Sequence, residues 1–550
     1  MSHFKPVATL DTHSVENQAK PIGNYNLYDI DIPLQEALVR EGVTWAEPQI
    51  KALGGTLGTE EIQRAGHDAN RFPPELHQFD LYGHRIDEVQ YHPAYHTMMK
   101  IAKEHSIHSI AWKTRQPRGH VVHSILEFLL GQVESGVCCP ITMTYAAVPA
   151  LKHHQALYDS LFPKLVNADY DSRFLPISEK RSITMGMAMT EKQGGSDVRA
   201  NTTRAQPIGG DEYLLTGHKW FCSAPMSDAF LTLAQSKNGL SCFWVPRWTP
   251  NGERNRFFIQ RLKNKLGNRS NASSEIEYNQ TWCRLVGQEG RGIPTIIEMV
   301  HHTRLDCAHA AVSIQRQALT QAIHHCRHRK AFGKKLIDQP LMQNVLADLI
   351  VEYEANLMLA LRVARAYDDG TDSPEQALFA RVAVAITKYW TNKRCSYFVN
   401  EAMECLGGAG YIEDTPLPRL YREAPLNGIW EGSGNVICLD VLRAINKNSA
   451  SIDIIFNEMQ DVVGENRLLD NYILEVKRNF SDRTQMPFRA RHLVEQMALA
   501  LQGALLVKHG NSAVCEAFLR TRLNKEWGFG FGSLPSGLRI SEILSRGMAW

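Results

Sequence analysis

The sequence predicts a mainly α-helical protein with a middle β domain and a C-terminal helical extension. Apolar residues recur with helical spacing on both sides of a central region. In that region, from about 184 to 286, short strand-like segments alternate with Gly, Asn, Asp and Pro clusters. At 550 residues the chain is too long for one core. These observations together indicate several domains.

We expect five segments along the chain. A polar lead-in forms an N-terminal arm, and a helical domain follows it. The middle β domain separates this from a second helical domain, and a basic helical segment ends the chain. The expected boundaries are 1–30, 31–183, 184–293, 294–445 and 446–550.

Specific elements follow from local patterns. In the first helical domain, apolar periodicity covers Ser124–Glu134 and Thr144–Leu161. Strands are predicted at Glu212–Thr216, Ala229–Ala234, Ser241–Val245 and Arg254–Leu262.

Long helices return after Pro294. They are predicted at Arg304–His328, Gln339–Tyr367, Pro374–Leu406 and Val436–Asn446. Ser373 and Pro374 are typical of a helix start. Gly407-Gly408 is typical of a left-handed helix end.

Composition limits the function classes. Apolar residues make up 44% and charged residues 21%, which is ordinary for a globular protein, and the net charge is +2. Eleven scattered cysteines without a C-x-x-C motif argue against disulfides and zinc sites, and favour a reducing cytoplasm. No secretory signal or apolar run of ~20 residues is visible, so we expect no membrane association. His92 and His96 lie four apart, but Pro93 separates them and no other ligands are evident, so we predict no metal site.

Glu431 is the most informative residue. It is a lone carboxylate among apolar residues and glycines, in Ala424–Asn435. Poor solvation raises the pKa of a carboxyl group toward neutrality, and such a group can remove a proton from carbon. A Glu in an ordinary surface loop is the alternative, and the rest of the chain decides against it.

Four further motifs are each modest alone. Met187–Asp197 contains Gly-Gly-Ser, whose amides and hydroxyl can approach an anion, although an ordinary turn explains it equally well. Gly217–Ser223 combines aromatic residues with a small hydroxyl residue, as a flat ring or a buried strand would require. Arg327–Gln339 is either an exposed basic loop or a phosphate clamp. Glu401–Gly410 precedes Glu431 by about twenty residues.

In this order and spacing, the motifs resemble the acyl-CoA dehydrogenase family of flavoenzymes. The family's signature motifs are matched at Thr190–Asp197, at Arg329, Phe332, Gly333 and Gln339, and at Trp430–Ser433. Further matches are Lys265–Ser270, Gly287–Gly292 and Arg304. The resemblance covers roughly residues 80–446. Within the family, the Lys-Gln-Gly-Gly-Ser-Asp loop and the C-terminal extension are similar to a bacterial branch that acts in the response to DNA alkylation.

The resemblance implies an acyl-CoA dehydrogenase-like fold, with a middle β-barrel domain and a C-terminal four-helix domain. It also implies a homotetramer that binds FAD across a subunit interface. The implied cofactor residues are Met189, Thr190, Gly195, Ser196, Phe221, Cys222, Ser223, Arg329, Phe332, Gln339, Glu404, Gly407, Gly408, Ser433 and Asn435. Of these, Arg329, Phe332, Gln339, Glu404, Gly407 and Gly408 are expected to reach a neighbouring subunit's FAD.

The implied reaction is α,β-dehydrogenation of an acyl-CoA thioester. Glu431 is the implied catalytic base, and its backbone N–H is implied to stabilise the enolate-like oxygen. The chain departs from the family pattern at Lys192-Gln193, Glu404, Trp430 and Ala224. These changes leave the base in place but bring ordinary turnover and CoA affinity into question.

The C-terminal extension is basic. Residues 477–550 contain eleven Lys or Arg and five Asp or Glu, so the remaining chain is slightly acidic. A basic helical face can contact DNA phosphates without reading sequence, although a solvated face is the alternative. With the resemblance, we expect double-stranded DNA binding through Lys477, Arg478, Arg489, Arg491, Arg520, Arg522 and Lys525.

Our preferred interpretation is therefore an FAD-containing acyl-CoA dehydrogenase homologue that binds double-stranded DNA and takes part in protection from alkylation, with possible weak dehydrogenase activity. The first alternative is an ordinary metabolic acyl-CoA dehydrogenase whose extension serves oligomerisation. The second is a DNA-binding protein with a residual flavin site. The sequence leaves the acyl chain undetermined, as well as the route of protection by repair, detoxification or shielding.

Overall fold

A computed structural model describes residues 12–526 and 528–549. Part of the predicted N-terminal arm, residues 1–11, lies outside this range. The last part of the arm, residues 25–30, packs on the first helices, and Tyr25, Leu27 and Ile30 are buried. The arm is therefore anchored by apolar side chains before the first helix begins.

The N-terminal region is helical, as predicted, with one hairpin. Its helices are α1 Ile32–Arg40, α2 Glu47–Leu57, α3 Glu60–Arg71, α4 Pro93–Glu104, α5 Ile110–Lys113, α6 Gly119–Gly131, α7 Cys138–Leu151 and α8 Gln155–Leu165. The hairpin pairs β1 Glu75–Phe79 with β2 Arg85–Gln90. Nearly every residue of α6 and α7 is buried, because these helices are predominantly apolar and are surrounded by other elements; the buried residues of α6 include His123 and Glu127.

Two predictions need correction in this region. Thr144–Leu161 is not one helix, because the chain turns at Lys152–His154 and α8 begins anew with the His154 side chain as its N-cap. The β1–β2 hairpin was missed, since its strands are short and mostly half-exposed or exposed. A two-stranded ribbon leaves only a weak alternating pattern in the sequence.

The middle β domain is confirmed as a seven-stranded sheet. Its strands are β3 Met185–Ala188, β4 Arg204–Gly209, β5 Glu212–Ser223, β6 Ala229–Ser236, β7 Gly239–Pro246, β8 Phe257–Leu262 and β9 Ser273–Val286. The strand order is β3-β6-β4-β5-β9-β7, with β8 on β9. A further β6–β7 pairing returns the sheet on itself. Few backbone edges are therefore left open between the helical layers.

The long C-terminal helices are confirmed, with shifted ends. They are α9 Gly292–His328, α10 Pro340–Asp369, α11 Pro374–Glu404 and α14 Gly434–Lys447, with short helices α12 Gly408–Tyr411 and α13 Leu417–Glu423 between the last two. A small ribbon, β10 Lys330–Ala331 and β11 Lys334–Lys335, joins α9 to α10. Ser373 Oγ accepts a hydrogen bond from Gln376 N, as expected of an N-cap, and Gly407 has a left-handed φ of 59°.

The extension folds onto these helices. It contains α15 Ala450–Glu458, α16 Arg467–Ser481, α17 Met486–His509, α18 Ser512–Phe518 and α19 Ile540–Arg546, with a π turn at Leu519–Leu523. Buried ion pairs link it to α10, among them Arg522 with Asp348 at 2.6 Å and Arg546 with Glu354 at 2.8 Å. In the described part of the chain, no helix has the length and apolar character required to cross a bilayer.

Candidate active site

Glu431 lies in the segment that connects α13 to α14, in a strained backbone conformation. Its φ is 57°, and Gly432 follows with a φ of 103°. A left-handed non-glycine residue costs roughly 1–3 kcal/mol, so neighbouring contacts must hold it. Arg304 Nε donates to Glu431 O at 3.1 Å, and Lys388 Nζ donates to Gly432 O at 2.8 Å. Two cations from α9 and α11 thus fix the turn.

The Glu431 carboxyl group has the environment expected of a base. Its Oε2 is shielded from solvent and has no hydrogen-bond partner in the described structure. Burial raises the pKa of Glu431, while Thr303, Arg304 and Lys388 act in the opposite direction. The group therefore combines a raised proton affinity with nearby positive charge that keeps ionisation accessible.

A buried ion-pair network supports the turn. Asp440 on α14 accepts from Arg304 at 2.8 Å and from Arg381 at 3.0 Å. Positive charge from the two arginines lowers the pKa of Asp440 despite its burial. Arg304 thereby joins α14 to the turn around Glu431, which we call the base turn because Glu431 is the candidate base. Three helices, α9, α11 and α14, therefore position Glu431.

A narrow cavity lies beside the base turn. It has room for about one water, with a volume of about 20 Å³. Trp430 closes one side, and its indole donates to Asn427 at 2.7 Å. Cys139 and Cys307 also line the cavity, and burial, with a smaller contribution from the Glu431 charge, raises the pKa of both thiols. The cavity thus reaches the immediate surroundings of the base.

The first predicted cofactor loop lies against β5. Trp220 N donates to Thr190 O at 2.8 Å, which fixes the loop beside the Phe221 segment. Met189 and Thr190 are half-buried, and Gly195 and Ser196 are exposed. A side chain at Gly195 would collide with Thr190 Oγ1, so the loop requires glycine there. The backbone of this loop can therefore approach a flat, phosphate-bearing ligand closely.

A buried ion pair holds this loop from behind. Lys219 Nζ lies 2.9 Å from Glu191 Oε1, and both side chains are fully shielded. Although burial opposes it, Lys219 together with Thr203 and Thr202 lowers the pKa of Glu191 to about 2. Burial lowers the pKa of Lys219 to about 8, so both groups are charged at neutral pH.

At the end of β5, two of the three predicted cofactor residues have side chains that solvent or a ligand can reach. Phe221 is exposed and Ser223 is half-buried, with its hydroxyl 3.2 Å from Ser273 Oγ. The prediction of Cys222 as a cofactor residue was wrong for its side chain. Strand alternation turns the thiol into the sheet core, where it is fully buried. The Cys222 carbonyl accepts a hydrogen bond from Ser274 Oγ at 2.9 Å, so the residue serves the sheet.

The remaining predicted residues form two separate groups. Ser433 and Asn435 are exposed beside Glu431. Arg329, Phe332, Gln339, Glu404, Gly407 and Gly408 lie at the far ends of α9 and α11. Since Arg304 and Arg329 are separated along one helix by about 37 Å, these six cannot meet the same flavin as Glu431 within one chain.

The distal group, defined by those six residues, is open. Phe332 is almost fully exposed, and added Cβ atoms at Gly407 and Gly408 would meet no atom within 4 Å. Arg329 donates to Asn17 O at 2.5 Å, so the N-terminal arm orders this loop. Such a surface fits the FAD of a neighbouring subunit, which stays a prediction.

The predicted DNA contacts differ in accessibility. Lys477, Arg478 and Lys525 are exposed, and the last two line one groove of about 630 Å³ between α16 and the π turn. Arg489 and Arg520 are engaged by Asp482 and Glu526. Arg491 is exposed and also donates to Asn435 at 2.8 Å, which joins the extension to the segment after the base.

Arg522 was wrongly predicted as a DNA contact. It is buried between Asp348 and Glu352 at 2.6 and 3.1 Å. The sequence showed three basic residues within six positions, but not that the central one faces the interior.

Sequence reasoning also missed Thr303, Lys388 and Asp440. Lys388 offered one signal, since it is a lone cation in the apolar stretch Ala385–Trp390. Lys265 was noted only as part of a motif, yet it donates to Ser273 Oγ at 2.9 Å beside Ser223. Burial lowers the pKa of Lys265 to about 8.

The chain is similar to known protein families over three of its regions. Residues 17–172 match the adaptive response protein AidB N-terminal domain, 186–281 the acyl-CoA dehydrogenase middle domain, and 290–446 the acyl-CoA dehydrogenase C-terminal domain. The chain is 43% identical to AidB of Escherichia coli (strain K12) over 96% of both chains. It is 30% identical to acyl-CoA dehydrogenase family member 11 of Caenorhabditis elegans, over 83% of this chain and 79% of that protein.

A solved structure is similar over nearly the whole chain. Caenorhabditis elegans ACDH-11, in complex with C11-CoA, superposes with a TM-score of 0.84 at 27% identity and covers 93% of each chain. The similarity therefore includes the extension as well as the three domains matched above.

Proposed function

Since the chain belongs to the acyl-CoA dehydrogenase family, we propose that it removes the α-proton of an acyl-CoA thioester with Glu431. Members of this family are FAD-dependent flavoproteins, so the cofactor is FAD. FAD supplies the hydride acceptor, and the chain supplies the base, orientation and exclusion of water. The single observation that carries the proposal is the shielded, unpartnered Oε2 of Glu431.

The backbone beside the base supports the same reaction. In the described structure, the Glu431 amide has no acceptor, although Trp430 N is bonded to Leu426 O. A free N–H beside a base can stabilise negative charge on a thioester oxygen. Arg304 donates to the Glu431 carbonyl oxygen and Lys388 to that of Gly432, and these two hydrogen bonds hold the Glu431 amide in place.

Anaerobic titration of the purified flavoprotein with a panel of acyl-CoAs tests this proposal. We expect bleaching of the flavin spectrum by at least one acyl-CoA, and its loss in Glu431→Gln. Glu413→Gln is the matched control, because Glu413 is an exposed carboxyl elsewhere in the same region. Unchanged bleaching in Glu431→Gln would refute the role of the base, and a colourless protein that takes up no FAD would refute the cofactor.

We further propose that the extension binds double-stranded DNA through Lys477, Arg478, Arg491 and Lys525. These side chains are exposed on α16, α17 and the segment after the π turn. Because lysine and arginine contact phosphates without reading bases, the binding is independent of sequence. The match to the N-terminal domain of an adaptive response protein supports a role in such a response. We propose that this role is protection of DNA from alkylation and that it takes place in the cytoplasm.

Charge reversal tests the DNA proposal better than truncation does. Removing residues after 446 would expose the core face of α10 and leave Asp348 without Arg522. The double variant Arg478→Glu/Lys525→Glu is expected to weaken retention on duplex DNA at least tenfold. Lys237→Glu, in an exposed turn of the middle domain, is expected to leave it unchanged. Equal retention by both variants would remove the groove from consideration.

The same variants separate the possible routes of protection. Duplex DNA is treated with a methylating agent in the presence of each protein, and modified bases are counted. Protection lost only in the charge-reversed variant indicates shielding. Protection lost only in Glu431→Gln indicates chemistry at the flavin site, and protection by neither wild type nor variants contradicts the proposed role.

A further inference from the structure

Three ionisable side chains that the proposed reaction does not use meet beside the cavity. Glu127 and Asp306 both line it, and His123 lies one turn before Glu127 on α6. His123 Nε2 is 3.1 Å from Asp306 Oδ1 and 3.6 Å from Glu127 Oε2. None of the three is more than 2% exposed. We call these three residues the buried triad.

The orientation of His123 is fixed by its other nitrogen. Nδ1 lies 2.6 Å from Ile107 O, and a carbonyl oxygen can only accept. Nδ1 therefore carries the hydrogen, and in the neutral ring Nε2 presents a lone pair to the two carboxyl groups. Tyr145 stacks on the ring at 3.7 Å and prevents it from turning.

The carboxyl groups are held in place, and among the described residues neither is paired with a lysine or arginine. Thr142 Oγ1 donates to Glu127 Oε1 at 2.6 Å, which leaves Oε2 facing the triad. Apart from Thr142 and the contact between the two carboxyl groups themselves, Glu127 Oε2 and Asp306 Oδ2 have no donor among the described residues, and His123 is the one ion-pair partner that either carboxyl has there. Acceptor atoms from three side chains thus converge, so a proton or a cation must lie between them.

We propose that the buried triad binds a divalent transition-metal ion, with Zn²⁺ as the best fit, and leaves its remaining position open to the cavity. One imidazole and two carboxylates are zinc ligands, and bonds of about 2.0–2.1 Å place tetrahedral ligands about 3.3 Å apart. The two measured separations, 3.1 and 3.6 Å, bracket this value. An ammonium group, about 2.8 Å from each acceptor, would require acceptors roughly 4.6 Å apart.

The surrounding contacts resemble a prepared metal site. A carbonyl on the distal nitrogen of a ligand histidine and a hydroxyl on a ligand carboxylate are common second-layer contacts that orient the ligands. Ile107 and Thr142 supply both. The triad is invisible in the sequence, because Asp306 follows Glu127 by about 180 positions and no compact spacing motif joins them.

Zinc titration of the full-length flavoprotein, after removal of metal by a chelator, tests the proposal. We expect one Zn²⁺ per chain at micromolar concentration or below, with affinity at least tenfold weaker in Glu127→Gln and in Asp306→Asn. His309→Gln is the matched control, since His309 is another fully buried imidazole on α9, one turn from Asp306. It is expected to keep the wild-type stoichiometry.

Cobalt substitution of the wild-type protein decides the case even if the triad variants fail to fold. A visible spectrum of tetrahedral Co²⁺ with nitrogen and oxygen ligands supports the proposal. A sulfur-to-cobalt charge-transfer band would instead assign the metal to a cavity cysteine such as Cys138, Cys139 or Cys307, and would overturn it. So would the absence of binding, which leaves the triad to share a proton. These readouts do not depend on flavin reduction, so either proposal can fail alone.

Discussion

At the scale of single residues, the base turn depends on charge balance. Glu431 is shielded enough for burial to raise its pKa, but Arg304 and Lys388 limit the rise. The same cations hold the carbonyls around the strained turn. Electrostatics and backbone geometry at Glu431 are therefore supplied by the same side chains.

The pH dependence of flavin reduction is the first prediction. Glu431 must be ionised to accept a proton, so the rate of bleaching rises with pH through its pKa, which lies above the ordinary 4.5. Lys388→Met removes a neighbouring cation and should move the inflection upward by about one pH unit. Lys393→Met, which is not among the groups that shift Glu431, should leave it in place. Stopped-flow bleaching across pH measures both, and an inflection unaffected by Lys388→Met would contradict the assignment.

The Glu191–Lys219 pair gives a stability prediction. Lys219→Met leaves a buried carboxylate unpaired, which costs about 3–5 kcal/mol of unfolding free energy. Replacing both residues, as Glu191→Leu/Lys219→Met, should recover only the part due to the unpaired charge, because the backbone N–H groups of Thr202 and Thr203 then lose their acceptor. Because the folded pKa of Glu191 is depressed to about 2, its contribution is present above about 4.5 and is lost as pH falls from there toward 2. Thermal denaturation at pH 7 and pH 3 measures this, and an equal loss in the single and double variants would contradict it.

At the scale of elements, the extension is a structural part of the helical domain. Helices α17, α18 and α19 pack on α10, and Trp390 of α11 donates to Gln502 of α17 at 3.0 Å. The predicted basic surface therefore lies on the outer side of a layer whose inner side completes the core. The proposed DNA binding therefore uses only the outward residues of this layer.

Substitution of Arg522 tests whether the inner side of the extension contributes to stability while its outer side does not. Arg522→Met leaves Asp348 and Glu352 buried with fewer cations, so we expect a loss of about 3–5 kcal/mol in unfolding free energy. Arg520→Met removes an exposed pair with Glu526, which solvent screens, and should cost far less than Arg522→Met. Chemical denaturation followed by tryptophan fluorescence compares the two. Similar losses in both variants would show that the extension does not depend on the buried pairs.

At the scale of the whole molecule, the predicted cofactor residues form two sites on one chain. The group near Glu431 and the distal group are too far apart to hold one FAD, so both can be used only if subunits share cofactors. This supports an assembly of at least two subunits, and the homotetramer stays a proposal from the family resemblance. The almost fully exposed Phe332 is the side chain most in need of a partner surface.

Phe332→Asp is therefore expected to lower both the assembly state and the bound FAD per chain. Analytical ultracentrifugation and flavin absorbance measure the two quantities on the same sample. Phe488→Asp, a similarly exposed phenylalanine on the extension, is the control and should retain both. Full FAD content in a monomeric Phe332→Asp protein would exclude cofactor sharing.

The sequence by itself determined the helical and β segments, the loop motifs and the basic charge of the extension, and it singled out Glu431 as the candidate base. These depend on residue type and local spacing, which the chain displays directly. Only the tertiary structure decided which charges meet. Arg522 turned inward, Cys222 turned into the sheet, and Lys388 reached the base turn, because burial depends on packing between distant segments. The buried triad has the same origin, since Asp306 and His123 become neighbours only when α9 packs against α6.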